Sequence, residues 1–249
     1  MKPNLTRVIA RVTSSSILTF ALALTTAIAV SIPAKADVIA FSARVRAMKV
    51  AVVGDSVAND LKRGLEDMFE GKPHVRVLDQ TRFATGLVRT EYFNWNAKVR
   101  EFLKHENPDA IVVVIGGNDR QPIRVNDRRL DPLSRPWLAE YEKRVAHFMD
   151  TVKRSRAKIY WVGLPAVRPD KLTAAYRVMN GAYRRQAVAH GFAYIDIWDK
   201  FLTPDGAYSS FGQSLEGVKR QIRKDDGMHF TEAGRLLFAH HVARAIGLR

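Results

Sequence analysis

Ser56 lies in the segment VVGDSVANDL, residues 52–61, where an apolar run stops at Gly54-Asp55-Ser56 and an amphipathic stretch begins. A serine hydroxyl placed there has two uses. It can cap the helix that follows, because serine is a preferred N-cap. It can also act as a nucleophile at a strand end, beside the N–H donors and positive field of a helix N-terminus. Gly54 permits the tight turn that either use needs. Partners elsewhere in the chain must decide between them.

Three other segments offer such partners. Asp226-Gly227-Met228-His229 sets a carboxylate three residues before an imidazole, across a glycine-containing turn. The carboxylate can orient the ring and favour its cation, which suits histidine to general-base work. Gly116-Gly117-Asn118-Asp119 brings a neutral amide donor at Asn118, and its glycines let the backbone pass close to a ligand. The same residue types also build ordinary turns. Gly86, in RFATGLVR, can turn its N–H toward the same place. A nucleophile, a base with an orienting carboxylate, and two or three donors are what acyl transfer requires.

The elements that must position these groups can be read from periodicity. Buried strands are expected at 49–53, 75–78, 110–116, 158–163 and 192–197. Between them lie helical faces: Leu61, Leu65, Met68 and Phe69; then Trp95, Val99, Phe102 and Leu103. Trp137, Tyr141, Val145 and Phe148 follow, then Leu172, Tyr176, Met179 and Tyr183. A last helix carries Leu236, Leu237, His240, Val242 and Ile246, and Gly247 ends it. Strands separated by helices pair in parallel through right-handed crossovers. The expected fold class is therefore α/β, a three-layer α/β/α sandwich with a five-stranded parallel sheet. Ligands in such sheets bind beyond the carboxyl ends of the strands, and the four segments above all follow strands or open helices there. Two long polar stretches, 120–135 and 203–226, read as functional or mobile loops.

The chain has 249 residues, 47% hydrophobic and 26% charged, with a mean hydropathy of −0.18. These values exclude a mostly disordered chain and a multi-span membrane protein. There is no cysteine, which excludes disulfides, a thiolate nucleophile and a thiolate metal site. Lys2, Arg7 and Arg11 precede an apolar run from Ile17, and Ala34-Lys35-Ala36 follows it. That is the pattern of a secretory signal peptide over 1–36, cut after Ala36, with an uncleaved anchor helix as the alternative. Residues 37–48 then read as a linker and 49–249 as the folded domain, exported to a bacterial periplasm. The formal charge is +15, of which Lys2, Arg7, Arg11 and Lys35 carry four, so the chain beyond residue 36 keeps +11. An excess of that size favours anionic partners such as acidic glycans. Export and the lack of any recognition motif argue against nucleic acid.

Taken in order, Gly54-Asp55-Ser56, Gly86, Gly116-Gly117-Asn118-Asp119 and Asp226-Gly227-Met228-His229 resemble the four blocks of the SGNH (GDSL-like) hydrolase superfamily. The similarity spans residues 49–246. The stretches GLVRTEYFNW (86–95), YWVGLP (160–165) and DGMHFTEAG (226–234) resemble an exported bacterial branch of it that long carried only an unknown-function label. The resemblance implies the flavodoxin-like SGNH hydrolase fold. It implies Ser56 as nucleophile, His229 as general base and Asp226 as its orienter. It implies an oxyanion hole made by the Ser56 and Gly86 N–H groups and the Asn118 amide. No metal and no organic cofactor is implied. Asp55, Asp119 and Tyr208 are the candidate substrate contacts; Tyr208 and Phe211 either stack on a sugar ring or pack their loop down.

The expected activity is that of a serine esterase removing O-acyl groups from a periplasmic or cell-surface glycan. The alternatives are an O-acyltransferase using the same triad, or a non-catalytic glycan-binding or assembly protein on this scaffold. For a further alternative, a metal phosphoesterase, the chain lacks the additional histidine-bearing motifs that such a centre needs. One departure from the superfamily concerns the first helix, where Asn59 and Asp60 stand in place of a common early glycine and Gly64 comes later. It bears on how that helix packs.

Overall fold

The computed structural model describes residues 46–248. The expected signal peptide, 1–36, and all of the expected linker before residue 46 lie outside the described residues. Strand β1 (Met48–Gly54) begins one residue before the expected domain boundary. It is followed by α1 (Ser56–Met68), β2 (Val75–Thr81), α2 (Trp95–His105) and β3 (Ala110–Val114). After these come the short β4 (Ile123–Val125) and β5 (Arg128–Leu130), α3 (Arg135–Lys153), β6 (Lys158–Val162) and α4 (Asp170–His190). The chain ends with β7 (Ala193–Ile195), a 3₁₀ turn at Trp198–Phe201, β8 (Phe211–Gln213), β9 (Lys219–Gln221) and α5 (Glu232–Ala245).

Five strands form one parallel sheet in the order β2-β1-β3-β6-β7. Its central strands are buried on both faces, which is why VAVV and AIVVV read as unbroken apolar runs. Helices α1 and α5 pack together on one face, and α2, α3 and α4 side by side on the other. The expected sandwich is the observed one. Among the described residues no helix is long and apolar enough to cross a membrane.

Two expectations are corrected. The stretches 120–135 and 203–226 are not plain loops. Each carries an antiparallel hairpin, β4–β5 and β8–β9. Asn126, with φ of 52°, makes the tight turn of the first, and Gly217, with φ of 75°, turns the second. Three-residue strands are too short to show a period. The last helix keeps Val242 and Ile246 of its expected face buried but otherwise presents a different one. Phe238, Ala239 and Val242 are buried in α5, whereas Leu236, Leu237 and His240 are only half-buried. Two adjacent leucines mimicked an apolar stripe that the small Gly234, Ala239 and Ala243 actually supply.

The small residues have a steric reason. A Cβ on Gly64 of α1 would sit 2.2 Å from the Arg235 carbonyl oxygen and 3.0 Å from the Ala239 Cβ. The two helices therefore cross with backbone close against backbone at Gly64. Replacing Gly64 with Ala should destabilise the protein despite alanine's better helix propensity. Overpacking of this kind costs about 1–3 kcal/mol. A urea midpoint for Gly64→Ala at or above that of the wild type would contradict the packing.

Candidate active site

The register of the sheet sets the site. Gly54 is level with Thr81 on β2 and with Val114 on β3. Whatever follows those three residues leaves the sheet at one edge. Gly54 itself has φ of 145°, and a Cβ there would lie 1.8 Å from the Val114 carbonyl oxygen, so only glycine fits.

Asp55 comes next and is fully buried. It is the N-cap of α1: its Oδ1 accepts from the Val57 N–H at 3.0 Å. Its Oδ2 accepts from the Gly116 N–H at 3.0 Å and the Gly117 N–H at 2.7 Å. Burial pushes its carboxyl up to about 6 against those N–H bonds. It is thus ionised at neutral pH, and its oxygens face donors only.

This removes one of the two uses open to Ser56. The capping role belongs to Asp55, and Ser56 is the first residue of the helix proper. Its hydroxyl is half-buried and bonded to none of the described residues. Its N–H, at the open end of the helix, likewise has no acceptor among them.

Asp119 does for β3 what Asp55 does for β1. It is buried, and it accepts from the Leu87 N–H at 2.8 Å, the Val88 N–H at 2.9 Å and the Tyr141 hydroxyl at 2.8 Å. Because Tyr141 gives its proton to Asp119, Tyr183 donates to Tyr141 across 2.7 Å. Burial pushes the Asp119 carboxyl upward and both phenols well above their usual range. A Cβ on Gly86 would lie 2.0 Å from Asp119 Oδ1, which explains the glycine. The Gly86 N–H has no acceptor among the described residues. Asn118 donates one amide hydrogen to the Thr85 carbonyl at 2.9 Å, which holds its Nδ2 beside Gly86 with the second hydrogen unassigned.

The last segment is docked from the far end of the chain. His229 Nδ1 meets Asp226 Oδ2 at 2.7 Å. Asp226 Oδ1 also accepts from the Met228 N–H at 2.8 Å and the His229 N–H at 2.9 Å. Partial burial works against the Asp226 charge, but the imidazole and the two N–H groups outweigh it and hold its carboxyl down at about 2. Gly227, with φ of 70°, makes the turn. His229 Nε2 is shielded from solvent and has no partner among the described residues. The hydrogen bond from Ser56 to Nε2 is not formed here. The Phe230 N–H reaches Asp60 Oδ2 at 3.0 Å, which sets the histidine's loop against the first turns of α1.

The chain matches, over residues 49–245, the model of the family DUF459, described as a protein of unknown function. The chain belongs to this family. No curated protein matches it. Solved structures do. LAE5, an alpha/beta hydrolase enzyme from the metagenome of Lake Arreo, Spain, is 18% identical with a TM-score of 0.56, over 80% of this chain and 95% of that one. Axe2, an acetylxylan esterase from Geobacillus stearothermophilus, is 17% identical with a TM-score of 0.56, over 82% and 97%. A GDSL-like lipase from Bacteroides thetaiotaomicron is 14% identical with a TM-score of 0.55, over 86% and 96%. At such identities these likenesses establish the fold, and it is the fold that the SGNH resemblance implies.

Within this DUF459 member, Ser56, Gly86, Asn118, Asp226 and His229 emerge at one edge of the molecule. Asp55 and Asp119 are corrections. Both were expected to touch substrate, yet both are buried with their oxygens taken by the protein, and they hold loops instead. Tyr208 is half-buried, pairs with Leu202 in an isolated antiparallel bridge, and its hydroxyl lies 3.2 Å from Ser210 Oγ. Sequence reasoning missed Arg223, which is fully buried and donates to the Met228 carbonyl at 2.7 Å and the Ala166 carbonyl at 2.9 Å. It stacks 3.8 Å from the Phe230 ring centroid. Inside a stretch of solvated lysines and arginines nothing marked it out. Tyr176, named only for its place on a helix face, donates its hydroxyl to the Gly117 carbonyl at 2.7 Å.

Removing Asp119 strands three buried donors at once. Asp119→Ala should cost about 3–5 kcal/mol. Denaturant unfolding monitored by tryptophan fluorescence checks this, and a loss under about 1 kcal/mol would contradict the network.

Proposed function

We propose that this protein is an exported serine esterase that removes O-acyl groups from a periplasmic or cell-surface glycan. One observation carries the reading: a histidine oriented by Asp226, with its Nε2 unbonded, is docked against the helix whose first residue is Ser56, beside three unfilled donors. The structural neighbours that are esterases and lipases support it, as does the SGNH pattern of all four segments.

In this reading Ser56 Oγ attacks the acyl carbonyl carbon and gives its proton to His229 Nε2. Asp226 stabilises the imidazolium. The oxyanion takes hydrogen bonds from the Ser56 N–H, the Gly86 N–H and the free hydrogen of Asn118 Nδ2. The tetrahedral intermediate collapses, the sugar oxygen leaves with the proton from His229, and an acyl-serine remains. Water then attacks that ester with His229 as base, releasing the acid and restoring Ser56. Substrate binding closes the Ser56–His229 hydrogen bond, since such bonds are often long without substrate.

An anionic glycan suits the β4–β5 hairpin. Arg124 lies directly opposite Arg129 in the register. Like charges facing each other across strands are destabilising. Arg129 has Asp131 at 3.2 Å, but Arg120, Arg124 and Arg128 are exposed with no acidic partner among the described residues. The hairpin is tied to Asn118, whose carbonyl accepts from Gln121 Nε2 at 2.6 Å, while the Gln121 carbonyl accepts from Trp137 Nε1 at 2.7 Å. Carboxylate or phosphate groups on a glycan would find paired guanidiniums there.

The test is a screen of short-chain, long-chain and sugar esters, with analysis of whether free acid or a new ester forms. A serine-directed fluorophosphonate should label the wild type. Ser56→Ala and His229→Ala should each lose nearly all turnover while remaining folded, and Asn118→Ala should lose about 10²–10³ in kcat. Near-normal turnover in Ser56→Ala would sink the mechanism, and a new ester with no free acid would make the enzyme a transferase. The pH dependence follows from Asp226. Its carboxyl is depressed from 3.8 to about 2, so the stability it contributes is complete above the unfolded value and is lost as pH falls through about 2. The acid limb of kcat/KM should therefore lie above the range in which Asp226 titrates. A limb with its midpoint near 2 would assign the loss to the carboxylate instead.

A further inference from the structure

We infer that Asp60 is a positioning residue for His229: it holds the backbone that follows the histidine, and its charge favours the imidazolium formed during turnover. The inference rests on the acyl-transfer reading above and adds a second carboxylate to it.

Asp60 is one helical turn after Ser56 and lies on the buried stripe of α1 with Val57, Leu61, Gly64 and Leu65. It is 3% exposed. A carboxylate in such a place is costly unless something compensates it. Its hydrogen-bond partner is the Phe230 N–H at 3.0 Å. On the other side of the histidine, Arg223 Nη1 donates to the Met228 carbonyl at 2.7 Å. The two residues flanking His229 are therefore gripped by two buried side chains of opposite charge. Neutral asparagine could accept the same N–H without the cost of a buried charge. The negative charge calls for its own reason.

The surrounding charges supply one. Asp226 bonds the His229 imidazole from its own loop, the Lys224 N–H donates to the His229 carbonyl at 2.8 Å, and around Asp60 lie the charges of His229, Lys224 and Arg235. Arg235 also lies 3.8 Å from Asp67. Asp226 meets the imidazole from one side. Asp60 answers from α1, where it interacts with His229, Lys224 and Arg235. Among these cations only the histidine changes its charge in the working pH range. Loss of the Asp60 charge therefore falls on the histidine's proton affinity.

The experiment separates charge from position. Asp60→Asn keeps the acceptor for Phe230 and removes the charge; Asp60→Ala removes both; Asp60→Ser is a smaller acceptor should either fail to fold. The His229 imidazole is titrated by ¹⁵N NMR in the Ser56→Ala background, with and without Asp60→Asn, so the readout does not depend on turnover. The midpoint should fall by roughly half a unit to one unit in the Asn variant. In the Ser56 enzyme the acid limb of kcat/KM should move down equally. Asp60→Asn should lose about tenfold in kcat/KM and Asp60→Ala about a hundredfold, of the order ascribed to acid–base groups. An unmoved midpoint overturns the inference. Failure of fluorophosphonate labelling in the wild type would instead overturn the esterase reading, and the titration would still decide Asp60.

Discussion

Three backbone N–H groups converging on one buried carboxylate, Asp55, organise this end of the molecule. The constraint is electrostatic. A buried anion is tolerated only when its lone pairs are met by donors. Meeting them forces the turn after β1, the start of α1 and the double glycine after β3 into one small volume. Gly117 is pressed against the same carboxylate, since a Cβ there would lie 3.2 Å from Asp55 Oδ2. The freedom of Ser56 is a by-product: once Asp55 caps the helix, the serine has no structural duty.

Asp119 repeats the device one strand over and brings in the Gly86 segment. Asp60 repeats it once more and brings in the Asp226–His229 turn. Three buried aspartates thus do the assembling, each by accepting backbone N–H groups from a segment distant in sequence. Among the described residues a hydroxyl, an imidazole nitrogen and three N–H or amide hydrogens near them have no partner. The division of labour is between residues saturated by the protein and residues the protein leaves unsaturated.

Much of the architecture was legible in the residues because it rests on repetition. Runs such as AIVVV and the four-residue spacing of Trp137, Tyr141 and Val145 recur often enough to declare strand and helix. Ser56, Asn118, Asp226 and His229 were legible as types capable of chemistry, and their order after successive strands gave them a common edge. The aspartates were harder. Asp55 and Asp119 sit beside reactive residues, and adjacency in sequence suggested contact with substrate. Nothing in one dimension separates a carboxylate that faces a ligand from one turned back on its own backbone. Asp60 carried a faint signal, a charge on an apolar stripe. Arg223 carried none. The hairpins were hidden because strands of three residues have no period to detect.

The hydrogen bond from Phe230 to Asp60 joins residues 170 positions apart. That separation has a temporal meaning. During synthesis the serine-bearing helix is made well before the segment that carries His229. Until α5 settles against Gly64 and the Phe230 N–H reaches Asp60, the His229 turn has no seat beside that helix. The chain carries its own delay, in which the neighbourhood of α1 is complete only once a segment 170 positions further on has folded back onto it.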